Sequence, residues 1–170
     1  MSIKTLVIAR HAKSSWDYDA VDDIDRPLKE SGIRNAYLVA ETLKKKKVSF
    51  DTIYSSPANR AIHTSIIFAR VLEVPAQKIE INEQLYSESD SDVIQFLKNI
   101  PENITKVLLV GHNPTFTDLA NRFLKQRISN LPTAGAVLLE LECDTWNHIG
   151  PVSVVRDSLF FPKKIGDSND

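Results

Sequence analysis

Apolar residues fall along this chain in two rhythms. Unbroken runs come first: Thr5-Leu6-Val7-Ile8-Ala9 and Lys106-Val107-Leu108-Leu109-Val110 have the character of strands covered on both faces. Thr52-Ile53-Tyr54-Ser55 is a shorter run of the same kind, and Ile79-Glu80-Ile81 is a weak one. Ala136-Val137-Leu138-Leu139-Glu140-Leu141-Glu142 and Val152-Ser153-Val154-Val155 complete the set. The segments between them repeat with helical spacing. Ile33, Ala36, Tyr37, Ala40 and Leu43 share one face; Ala61, Ile62, Ser65, Ile66 and Ala69 do so after Pro57. Val93, Phe96, Leu97 and Ile100 lie between Ser89 and Pro101, and Phe116, Leu119, Ala120, Phe123 and Leu124 follow Pro114. Alternating strand and helix predicts an α/β architecture with a mainly parallel sheet. The last two strands have no long helix between them, which predicts an antiparallel strand at the edge.

A length of 170 residues suits one domain, expected over residues 1–165, with the polar tail 166–170 frayed. No internal repeat or linker interrupts it. Apolar residues make up 42% and charged residues 25%, an ordinary globular mixture. The net charge of −1 implies no general affinity for nucleic acid or membrane. A single cysteine, Cys143, allows no intrachain disulfide and reads as a small buried hydrophobe. Lys44 to Lys47 read as a solvated last helical turn that suits the helix dipole. Met1-Ser2-Ile3-Lys4 leads straight into a strand with no signal core, and no stretch is long enough to span a bilayer. A cytoplasmic location is therefore expected.

The chemistry concentrates at strand ends. Arg10-His11 follows the first buried run and Gly111-His112 the other clean one. In open parallel sheets ligands bind just beyond the carboxyl ends of the strands, so both histidines emerge at the functional edge. A lone histidine there is ordinarily a turn residue. Two at matching positions, one with arginine attached, point to a shared site. The other two of the four histidines, His63 and His148, lack this placement and read as a helix-surface or rim residue and a loop residue. Ser55-Ser56-Pro57-Ala58-Asn59-Arg60 follows the second strand and opens a helix. An arginine in a first turn is by default a solvated charge. A helix N-terminus is also an anion site, however, and guanidinium matches phosphate geometry. Ser56 adds a hydroxyl. Two arginines and two histidines would make a cationic nest for a dianion. Carboxylate or cysteine sets with metal-ligand spacing and a Gly-rich phosphate loop are absent, so no metal and no cofactor are expected. Histidine is left as the attractive nucleophile.

Arg10-His11-Ala12 resembles the Arg-His-Gly signature of the histidine phosphatase superfamily, which includes phosphoglycerate mutases and acid phosphatases. Ser55-Ser56-Pro57-Ala58-Asn59-Arg60-Ala61 resembles its second motif and Gly111-His112 its third. The finer resemblance is to the SixA type of phosphohistidine phosphatase. It rests on Arg10-His11-Ala12-Lys13-Ser14-Ser15-Trp16, Asp25-Arg26-Pro27-Leu28, Leu85-Tyr86, Gly111-His112-Asn113-Pro114 and Leu131-Pro132-Thr133-Ala134. The resemblance covers nearly the whole chain and implies a three-layer α/β/α sandwich. It further implies His11 as the phosphorylated nucleophile, Arg10 and Arg60 as clamps on the phosphoryl oxygens, and His112 as a donor to the same oxygens. Lys13, Ser14 and Trp16, in the loop after the nucleophile, and Ser56 become candidate substrate contacts. Lys13 would attract the phosphate or an acidic partner surface, and Trp16 would be a pocket wall or a packing residue. Asp25, Arg26 and Pro27 are read as pinning the loop before the second helix.

Two departures qualify the match. Ala12 stands where the superfamily usually has glycine, and the glutamate-led general-acid segment of the mutases is missing. Leu85-Tyr86-Ser87-Glu88 lies in its place. Glu88 and Glu83 are the candidate acids, each read first as a solvated surface carboxylate. Three functions follow as alternatives. One is a phosphatase of phosphohistidine on a signalling or phosphotransfer protein, such as a histidine phosphotransfer domain. The second is a phosphatase of small phosphoesters such as sugar or nucleotide phosphates. The third, a non-catalytic phosphate-binding module, fits least, because all four core residues are present. The chain has no insertion long enough for a large cap, which favours an open site and a phosphorylated side chain displayed on another protein.

Overall fold

The structure, a computed structural model, describes residues 2–163; the tail 166–170 lies outside them. Along the described residues run β1 (Ile3–Arg10), α1 (Glu30–Lys45), β2 (Thr52–Ser55), α2 (Asn59–Leu72) and β3 (Ile79–Ile81). α3 (Asp90–Lys98), β4 (Lys106–Gly111), α4 (Thr115–Asn121), β5 (Ala136–Glu142) and β6 (Val154–Phe160) follow. The strands form one six-stranded sheet in the order β3-β2-β4-β1-β5-β6. The first four of these neighbours are parallel. β5 runs against β1, and β6 against β5. The sheet is therefore mainly parallel, with its antiparallel pairings gathered at one edge.

Successive side chains of a strand point to opposite faces, and the two faces meet different helices. Val7, Ala9, Ile53, Leu108, Val110, Ala136 and Leu138 pack with Ala36, Val39, Ala40 and Leu43 of α1 and Ile67 and Phe68 of α2. Leu6, Ile8, Tyr54, Val107, Leu109, Val137 and Leu139 pack with Val93 and Leu97 of α3 and Phe116, Leu119 and Ala120 of α4. This is the α/β/α sandwich, and it explains the unbroken apolar runs: both parities of β1 and β4 are covered. Cys143 is buried in the second core.

The elements differ from the pattern in places: on α2 Ile67 and Phe68 reach the core while Ile62 and Ile66 are half-buried, and Tyr37 of α1 is exposed. The last strand lies at Val154–Phe160, whereas Pro151–Ser153 is a 3₁₀ turn that leaves Val152 98% exposed. As an edge strand, β6 carries polar Arg156, Asp157 and Ser158 and so escapes a search for apolar runs. α4 ends at Asn121, and Phe123 and Leu124 stay buried in the turn beyond it.

Candidate active site

The register of the sheet builds the site. Arg10 pairs with Gly111 across β1 and β4, so the next residues, His11 and His112, leave the sheet side by side. Their ring centroids lie 5.0 Å apart. Gly111 has no room for a side chain: a Cβ there would stand 2.2 Å from the Phe116 ring. Phe116 thus seals the sheet directly beneath His112.

His11 is buried, and its Nδ1 lies 2.7 Å from the Ala12 carbonyl. A carbonyl only accepts, so Nδ1 carries the proton and Nε2 keeps a free lone pair. Burial, followed by the nearby guanidiniums of Arg60, Arg10 and Arg26, pushes the imidazole down from 6.5 to about 4. A backbone bond from Ala12 N–H to Thr64 Oγ1, at 2.9 Å, ties the nucleophile loop to α2, and Thr64 in turn donates to the Arg60 carbonyl at 2.7 Å. On the other side the Ala134 N–H donates to the His11 carbonyl at 3.1 Å.

Arg10 is aimed by the segment before β5: its Nη1 donates to the Leu131 carbonyl at 3.1 Å. Asn113 Nδ2 donates to the same carbonyl at 2.9 Å, so the arginine and the loop after His112 share one anchor. Arg60, in the first turn of α2, is buried and turned toward a loop residue. Its Nη1 donates to the Asp23 carbonyl at 2.7 Å and its Nη2 to Asp23 Oδ2 at 3.0 Å. Tyr86 Oη donates to the same carboxylate oxygen at 2.6 Å. The Tyr86 bond first, and Arg60 after it, hold the Asp23 carboxyl below the usual range against a desolvation cost. His112 completes the group. Burial, then His11 and Arg60, push it to about 3.

Arg10, His11, Asp23, Arg60 and His112 line a cavity of about 350 Å³ together with Lys13, Ser14, Trp16, Arg26, Lys29, Asn113 and Thr133. Arg26, read as a loop pin, is also a buried wall of it. Its guanidinium lies 3.4 Å from the centroid of the Trp16 ring, and its Nη2 donates to Ser14 Oγ. Trp16 is 74% exposed and so forms a rim, not core packing. Ser14 is buried with its hydroxyl already engaged by Arg26. Ser56 is fully buried behind His112, 2.7 Å from its Nε2, and outside the cavity lining. Glu88 is exposed on an adjoining hollow beside Tyr86 and His112. Glu83 is exposed at the start of a 3₁₀ turn and lines neither space. His63 lies half-buried on α2 and His148, read as a loop residue, is exposed at the end of a 3₁₀ turn, both away from the cavity.

Two buried guanidiniums, Arg26 and Arg60, and the half-buried Arg10 share a cavity lined by one carboxylate, and Arg10 Nε, Arg26 Nε and Nη1 and Arg60 Nε have no hydrogen-bond partner. Buried charge of this kind needs an anion to balance it. Among the described residues no group of three or more His, Cys, Asp or Glu side chains is arranged to hold a metal ion. None of their helices is long and apolar enough to cross a membrane.

The profile of the histidine phosphatase superfamily (branch 1) matches residues 6–86. An uncharacterised protein of Mycobacterium tuberculosis is 32% identical over 152 residues, covering 84% of this chain and 92% of that protein. A protein of Agrobacterium tumefaciens assigned as the phosphohistidine phosphatase SixA is 26% identical, with a TM-score of 0.74 over 81% of this chain and 92% of its own. The protein histidine phosphatase SixA in complex with tungstate superposes with a TM-score of 0.79 over 95% and 99% of the two chains, at 22% identity. With paired histidines and arginines at the carboxyl edge of such a sheet, the chain belongs to the histidine phosphatase superfamily, and within it is similar to the SixA type. It is a phosphatase, a hydrolase of phosphorylated compounds.

Proposed function

We propose that this enzyme removes the phosphoryl group from phosphohistidine displayed on another protein, without a metal ion and through a covalent intermediate on His11. The reading takes residues 1–165 as one domain acting in the cytoplasm. His11 Nε2 attacks phosphorus, the bond from phosphorus to the substrate imidazole breaks, and the imidazole leaves as a neutral ring. Water then attacks the phosphoryl group on His11, which releases inorganic phosphate and restores the free ring. Arg10 and Arg60 draw the phosphoryl oxygens against the nucleophile, as positioned cationic donors do for a transferring phosphoryl group.

The observation that carries the choice of substrate is the state of Asp23. It is the carboxylate lining the cavity, and its bonds from Tyr86 and Arg60 keep it ionised. A site without a free acid suits a leaving group that needs none. Support also comes from the 26% identity to the Agrobacterium protein assigned as a phosphohistidine phosphatase. The test is a side-by-side panel of a phosphohistidine protein, a phosphohistidine peptide and a sugar phosphate. Turnover per encounter should favour the phosphohistidine substrates strongly, and equal efficiency on the sugar phosphate would transfer the enzyme to the small-phosphoester class.

A further inference from the structure

We infer that Ser56 is a positioning residue that lets His112 turn a proton toward the phosphoryl group while the ring stays neutral, by exchanging hydrogen-bond roles with it. The inference rests on reading this cavity as a phosphoryl site and concerns how that site answers its anion.

The starting state follows from donor and acceptor counting. Arginine only donates, so at the 3.3 Å contact between Arg60 Nη2 and His112 Nδ1 the ring nitrogen accepts. A neutral imidazole has one donor and one acceptor nitrogen, which puts the proton of His112 on Nε2. The 2.7 Å contact with Ser56 Oγ is therefore donated by the ring. Ser56 Oγ also accepts from the Ala58 N–H at 3.1 Å. The hydroxyl is an acceptor twice over, and its own proton is needed by neither bond.

In that state the lone pair of His112 is spent on Arg60 and its proton on Ser56, so the ring has no proton to give the cavity. A phosphoryl dianion accepts hydrogen bonds and donates none, so the two are mismatched. One remedy is to make the ring an imidazolium. Burial of His112 and the neighbouring Arg60, Arg10 and His11 oppose that charge. The other remedy is a change of tautomer. Nδ1 takes a proton from the solvent of the cavity, the ring, passing through the doubly protonated state, returns the Nε2 proton to solvent, and the Ser56 hydroxyl rotates to donate into Nε2. One proton leaves the ring and one arrives, so the exchange is neutral. It also frees Arg60 Nη2 from Nδ1 for the phosphoryl oxygens. The partner of Nε2 must be able to reverse its role, which a hydroxyl does and a backbone amide or carbonyl does not. Ser56 has no solvent exposure, so the reversal belongs to its own hydroxyl.

Nitrogen-15 spectra of the ring of His112 in the full chain, near neutral pH, test this with inorganic phosphate as the probe. Without phosphate, Nε2 should carry the proton. With saturating phosphate, Nδ1 should carry it and Nε2 should not. In Ser56→Ala the phosphate-bound ring should fail to complete the exchange, and kcat should fall about 10-fold or more with KM changed less, the scale on which outer partners of a working imidazole act. If phosphate binds the wild type and the ring keeps its tautomer or becomes doubly protonated, the inference is wrong. An exchange as complete in Ser56→Ala as in the wild type would also overturn it. Absence of any phosphate-dependent change at His11 or His112 would remove the phosphoryl site itself and the inference with it. An intact exchange in an enzyme inactive on phosphohistidine would leave the inference standing and remove only the substrate assignment.

Discussion

His11 and His112 are held with their ring centroids 5.0 Å apart because they follow Arg10 and Gly111, a paired position on two adjacent parallel strands. The separation is thus a property of sheet register. The roles differ because the local bonds differ. His11 spends Nδ1–H on the Ala12 carbonyl, whereas His112 contacts Ser56 and Arg60 with its two nitrogens. Only His11 presents an unoccupied Nε2.

A phosphoryl adduct should therefore form on His11, acid-labile and alkali-stable as phosphoramidates are. His11→Ala should abolish labelling by a phosphohistidine donor. Arg60→Ala should leave the nucleophile and slow turnover by about 100-fold or more, the scale on which loss of one transition-state donor acts. Rapid-quench labelling with mapping of the modified residue checks both. Label that accumulates at the wild-type rate in His11→Ala would move the nucleophile elsewhere.

Acid should unfold the protein partly through these two rings. Both are pushed below their ordinary 6.5, to about 4 for His11 and about 3 for His112. Between pH 6.5 and 4 the unfolded chain binds protons that the folded chain refuses. Stability is then full above pH 6.5 and falls as pH drops toward 4. His11→Ala should lose less of its melting temperature between pH 7 and pH 5 than the wild type does. A variant with unchanged acid sensitivity would mean that His11 titrates normally in the fold.

The sheet was legible in the sequence because strands covered on both faces leave continuous apolar runs, and the site was legible as far as its members sit at strand ends. His11 and His112 were found that way, and Arg60 by its place in a first helical turn. Arg26 belongs to the same cavity, but nothing local separates a buried arginine from a solvated one in a polar loop. Asp23 is one of five aspartates between residues 17 and 25; its role depends on Tyr86, 63 positions away. Ser56 was visible as a hydroxyl at a strand end, but its partner is set by the rotamer of His112, which sequence does not carry.

Gly32 shows how tightly α1 is laid on the nucleophile loop. A Cβ at this position would stand 2.3 Å from the Lys13 carbonyl oxygen, and that carbonyl also accepts the Lys29 N–H at 2.9 Å. Backbone cannot step aside as a side-chain tip can. Gly32→Ala should cost about 1–3 kcal/mol, the ordinary range for overpacking, although alanine is the better helix former. Denaturant unfolding measures this, and an unchanged or raised midpoint would show that the loop after His11 yields freely.

The last prediction separates a positioning carboxylate from an acid. Expelling an alkoxide requires a proton, since even water as a conjugate acid has a pKa of about 15.7. Imidazolium, with a pKa of about 6.5, shows how readily a histidine ring departs. If Asp23 served as the acid, Asp23→Asn would damage a sugar phosphate far more than phosphohistidine. Here Asp23 is kept ionised by Tyr86 and Arg60, and the visible work of its carboxylate is to hold Arg60 Nη2, beside a backbone bond to Nη1 that asparagine would keep. Asp23→Asn should therefore slow both substrates by similar factors through a loosened Arg60. Tyr86→Phe, which removes the bond from Oη, should do the same more mildly. Glu88→Gln should leave phosphohistidine turnover nearly unchanged, because Glu88 sits on the adjoining hollow and not in the cavity lining. Kinetics of the three variants on both substrates decide the matter. A loss confined to the sugar phosphate in any of them would identify that residue, or its partner, as a general acid, and would restore small phosphoesters as the natural substrates.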